Sequence, residues 1–219
     1  MSDTPDSLRG RRVLLTATAW HEAGHALAAL REGFHIRHVS IDKRRPGHGV
    51  TLCQPSTPLA RYNPEMGRGS AQAAWQDAVD HHLSHLRLKL AGPLAEARKL
   101  GKPMRALGGW SDFEDTYWLA QDLMGIQAYL ERYRIFFWGN VPALFNEESR
   151  RLRHWLARPA TWSAVNAIAA ELLEKDALDG ADILRCALTT RSDHQLPLNL
   201  GWTEESGAEP SDEALRHAA

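Results

Sequence analysis

The chain has 219 residues, enough for one domain with a substantial core. Its 26 Lys and Arg stand against 27 Asp and Glu, a formal charge of -1 that excludes an electrostatic grip on nucleic acid or anionic lipid as the basis of function. Two distant cysteines, Cys53 and Cys186, and the lack of a signal-peptide core or of an apolar run near the roughly 18 residues of a membrane span imply a cytoplasmic protein with plain buried thiols.

Residues 1–12 read as a flexible polar leader. Residues 13–30 are rich in Ala and Leu, lack Pro and contain one Gly, so they predict a helix that starts near Thr16 or Thr18. Short β-type runs follow at 38–41 and 49–53, joined by the turn-prone Arg44-Arg45-Pro46-Gly47-His48, and together they predict a hairpin. Residues 55–69 have the composition of a surface loop. Residues 71–100 return to helical composition, with Leu83, Leu86 and Leu90 at helical spacing and Gly92-Pro93 marking a break or a new start. Further helices are expected over 111–133, 141–157, 161–175 and 180–190, punctuated by Pro159 and Asp179-Gly180, with a disordered polar tail from 191. No internal repeat is present. The fold class is mainly α (α+β): a helical bundle with a small β-hairpin or sheet beside the first helix.

The first helix carries His21-Glu22-Ala23-Gly24-His25. Histidines at i and i+4 share one helix face, where both imidazoles can reach a single zinc ion. Glu22, next to the first of them, is placed to take a proton from a metal-activated water, the role of a general base. Read blandly, the same five residues are a surface helix with two solvated histidines. The surrounding Ala-rich apolar sequence argues against that, because paired histidines on such a face need something to bind their nitrogens.

A zinc hydrolase site needs a third protein ligand and one open position. No His-x-x-Gly-x-x-His extension follows His25, so the ligand must come from farther along. His81, His82 and His85 form one candidate group, with solvated side chains as their ordinary state. Asp112, behind Gly108-Gly109 at the start of a predicted helix, is the better candidate. It would also serve as an N-cap or first-turn acid, and composition does not separate these roles.

Five blocks in order resemble the peptidase domain of the FtsH-type AAA zinc metalloproteases over about residues 13–190. Ala19 to Leu27 resembles their zinc helix, and Gly49-Val50-Thr51 with Pro55 resembles a strand after their hairpin turn. Ala91-Gly92-Pro93-Leu94-Ala95-Glu96-Ala97 resembles their Gly-Gly-Arg-Ala-Ala-Glu-Glu helix. Gly108-Gly109-Trp110-Ser111-Asp112-Phe113 is similar to the Gly-Ala-Ser-Asn-Asp-Leu segment that supplies their third ligand, and residues 170–180 are similar to their closing helix-turn. The resemblance implies one Zn2+ per chain held by His21, His25 and Asp112, Glu22 as base, and a peptide or unfolded protein as substrate. It also implies an edge at Gly49, Val50, Thr51 and Leu52 that pairs with an extended substrate, although such a strand also simply closes a hairpin.

Departures from the family qualify what is carried over. The zinc helix lies within the first thirty residues, with no membrane anchor or ATPase module before it and no Gly-x-x-x-x-Gly-Lys-Ser/Thr phosphate loop. An ATP-independent peptidase is therefore expected, as a monomer or small oligomer, with an ATPase partner in trans possible but not indicated. Trp110 replaces a small residue, and the aromatic Arg132 to Trp138 segment has no counterpart. These differences leave a second class open, a binding or regulatory module that keeps the peptidase fold without turnover; a third option is hydrolysis of a non-peptide amide.

Overall fold

The computed structural model describes residues 5–55, 71–104, 107, 110–130 and 140–189. The loop expected over 55–69 beyond Pro55, the Gly108-Gly109 pair, the Arg132 to Trp138 segment and the tail from 191 lie outside the described residues. Six helices and three short strands make up the rest: α1 (Pro5–Arg31), β1 (Phe34–Ile41), β2 (Gly49–Pro55), α2 (Ala71–Leu100), α3 (Trp110–Leu130), α4 (Val141–Ala157), α5 (Pro159–Lys175), β3 (Ala177–Leu178) and α6 (Gly180–Thr189). The fold is mainly α with a small sheet, as the sequence predicts.

Several boundaries differ from expectation, among them that of β1, which starts at Phe34 rather than at residue 38. α1 starts at Pro5, so residues 5–12 are helical rather than a leader; proline suits a first helical turn, and the exposed side chains from Leu8 to Arg12 need no core. α2 runs unbroken through Gly92-Pro93. Proline removes one hydrogen bond there, but Leu86, Leu90 and Leu94 are all buried on one stripe, and that packing outweighs the loss. The third strand is only Ala177–Leu178, too short for any alternation to register.

α1 is the central element and packs against α2, α5, α6, β1 and β2. Ala19, Ala23 and Ala26 are fully buried on it, and small side chains let neighbouring helices come close. The closest approach is at Gly24, where a Cβ would lie 2.6 Å from the Ala91 carbonyl oxygen and 2.7 Å from Ala95 Cβ. The sheet is antiparallel in the order β2-β1-β3, so that among the described residues β2 is paired along one edge only. Register puts Gly49, Thr51 and Cys53 opposite Ile41, Val39 and Ile36 on the inward face, so Val50 and Leu52 project outward, 41% and 51% exposed.

Candidate metal centre

His21 and His25 lie one turn apart on α1, and α3 brings Asp112 to them from its first turn. Asp112 therefore sits inside the helix rather than at its cap, where the positive end of the helix dipole favours a carboxylate. His21 Nε2 is 2.9 Å from Asp112 Oδ2 and 3.0 Å from His25 Nε2, and His25 Nε2 is 3.3 Å from the same oxygen. Among the described residues, these three form the one group of three donors able to share a metal ion. His81, His82 and His85 stand apart on α2; His82 and His85 each direct Nδ1 to the carbonyl one turn back.

The hydrogen bonds behind the histidines settle where their protons are. His25 Nδ1 lies 2.8 Å from the carbonyl oxygen of Leu88, which can only accept, and His21 Nδ1 lies 2.9 Å from Glu96 Oε2. Both Nδ1 atoms therefore donate, so in the neutral rings both Nε2 lone pairs point at each other and at a carboxylate. Three lone pairs on a triangle of about 3 Å repel unless a cation lies among them. Tetrahedral zinc with bonds near 2.0–2.1 Å sets neighbouring donors roughly 3.3 Å apart, so the donor set and its spacing fit zinc. Without a metal, a proton must do this work. Burial opposes a charge on His21, but its hydrogen bonds to Asp112 and Glu96 prevail and raise its pKa from 6.5 to about 9. The Asp112 carboxyl, despite burial, is held far below the usual carboxylate range by the two imidazoles.

Glu22 is buried and clamped under β2. The Thr51 hydroxyl donates to Glu22 Oε2 at 2.8 Å, and Gly49 presses on the same side chain so closely that a Cβ there would lie 2.6 Å from Oε1. His21, Glu22, His25, Thr51, Lys89 and Asp112 all line one cleft of about 500 Å³. The described helices include none long and apolar enough to cross a membrane.

The residues singled out from the sequence, His21, Glu22, His25, Asp112, Gly49, Val50 and Thr51, are thus brought together around one cleft, which Leu52 does not line. Sequence reasoning did not find three participants. Glu96 lay inside the Ala91 to Ala97 block without a role. Lys89, which with Arg87 alternates with the buried Leu86, Leu88 and Leu90, was a signal in plain view. The His25 acceptor is a main-chain carbonyl, which no side-chain pattern marks. The sequence matches no protein-family model and no curated protein.

Proposed function

We propose that the chain is a zinc metallopeptidase needing no ATP of its own, which hydrolyses peptide bonds in extended or unfolded segments with His21, His25 and Asp112 as zinc ligands and Glu22 as general base. The observation that carries this reading is the convergence of three potential metal donors beside a clamped carboxylate in one cleft. The likeness to FtsH-type peptidase domains falls on the same residues and supports it. When bound, zinc would supply an acidified water and polarise the substrate carbonyl.

The protein's own groups then have separable tasks. Glu22, with Oε2 held by Thr51, keeps Oε1 to accept a proton and hand it to the leaving amine. Glu96 and the Leu88 carbonyl orient the two imidazoles and keep their Nε2 atoms aimed at the metal. The outer edge of β2, unpaired among the described residues and beside the cleft, would offer main-chain groups from Gly49 to Leu52 for pairing with an extended peptide.

The test compares wild type with Glu22→Gln for zinc content and for cleavage of denatured protein and a peptide library. The variant should keep its zinc and lose about 10²–10⁴-fold in turnover. Cleavage that survives the substitution removes Glu22 as base, and zinc-loaded wild type that captures peptides without cutting them favours the binding module.

A further inference from the structure

The two oxygens of Asp112 meet different partners. Oδ2 faces both histidine Nε2 atoms, at the position a metal would share, whereas Oδ1 faces Lys89 Nζ at 3.4 Å. Lys89 Nζ is in turn anchored 2.7 Å from Asp115 Oδ2, about one turn past Asp112 on α3. The lysine reaches across from α2 and lies about one-third exposed in the cleft, within a segment whose leucines are buried.

A carboxylate can bind zinc through one oxygen or both. Two-oxygen binding here would swing Oδ1 away from Lys89 and occupy the position that a hydrolytic zinc site keeps open. The geometry points to Lys89 as a positioning residue that, anchored by Asp115, holds Asp112 to one-oxygen coordination and so keeps a place on the metal free for substrate. This inference rests on the zinc reading above.

Its test is the visible spectrum of the full chain loaded with Co2+, because four-coordinate cobalt absorbs strongly and a fifth ligand weakens its bands. Wild type and Lys89→Arg should give the intense spectrum. Lys89→Met, which keeps the length of the side chain and removes its charge, should lose band intensity at unchanged cobalt stoichiometry, with turnover reduced roughly tenfold. Asp115→Asn, at an exposed position outside the cleft, loosens the same anchor and should shift the spectrum in the same direction. Bound cobalt with wild-type spectra in both Lys89→Met and Asp115→Asn overturns the clamp and leaves the zinc reading intact. Failure of wild type to bind cobalt at all overturns both.

Discussion

At the scale of the residue, the centre works by separating the two nitrogens of each imidazole. Nδ1 is committed to Glu96 or to the Leu88 carbonyl, so Nε2 has no hydrogen to offer and needs a positive charge opposite it. In the metal-free protein that charge is a proton on His21, whose pKa is raised from 6.5 to about 9 by Asp112 and Glu96 against the pull of burial. A raised folded-state value stabilises the fold fully below pH 6.5 and loses that contribution as pH climbs through about 9. The urea midpoint of the metal-free protein should therefore fall between pH 6.5 and 9, and saturating zinc should abolish the fall by replacing the proton. A metal-free midpoint that stays flat over this range removes His21 as the proton carrier. The histidine pair was legible in the sequence because i and i+4 share a face whatever the rest of the chain does. Asp112 needed more, since its 87-residue separation from His25 is a tertiary fact that the ordered blocks of the resemblance supplied.

At the scale of the element, α1 and α2 approach through two glycines. Gly24 fits over Ala91 and Ala95, and Gly92 fits against His25, where a Cβ would lie 2.3 Å from Nε2. Gly92→Ala is informative because local and tertiary effects oppose each other: alanine favours the helix by about 1 kcal/mol, yet its methyl group occupies the space of the ligand ring. The variant should keep its helical circular dichroism and lose at least about tenfold in zinc affinity against a competing chelator. Unchanged affinity would mean that His25 sits elsewhere. Gly92-Pro93 also shows where local reading fails. The dipeptide has the chemistry of a helix break, but the leucines on either side are buried on one stripe, and the helix continues. Conversely, α1 extends back to Pro5 through residues with no periodic signal, because exposed helical turns need only tolerable propensity and a proline at the start.

At the scale of the molecule, the bundle is locked by a buried charge network away from the cleft. Glu148 on α4 is fully buried and accepts from Arg87 Nε on α2 at 2.7 Å, while Arg87 also pairs with Glu32 just beyond α1 at 3.4 Å. Arg31 stacks its guanidinium over the Trp155 ring, 4.6 Å from its centroid. Removing one partner strands the other's charge, so Glu148→Ala should lower unfolding free energy by about 3–5 kcal/mol, toward the lower end because Glu32 remains. A loss under about 1 kcal/mol in urea unfolding would show the network to be incidental. None of this was legible beforehand: Glu32, Arg87 and Glu148 resemble surface charges until the packing of three helices encloses them. The class of fold was legible, because helix composition and turn chemistry are local, whereas the enclosure is collective. The spread of the donor triad over the chain has its own result. Two donors ride on the first helix and the third on α3, so a captured cation fastens a distant segment to the hub of the bundle, like a pin through two plates. On the zinc reading proposed above, each tenfold rise in free zinc above its dissociation constant would add about 1.4 kcal/mol to the folded state, so that metal supply would set how firmly that segment is docked.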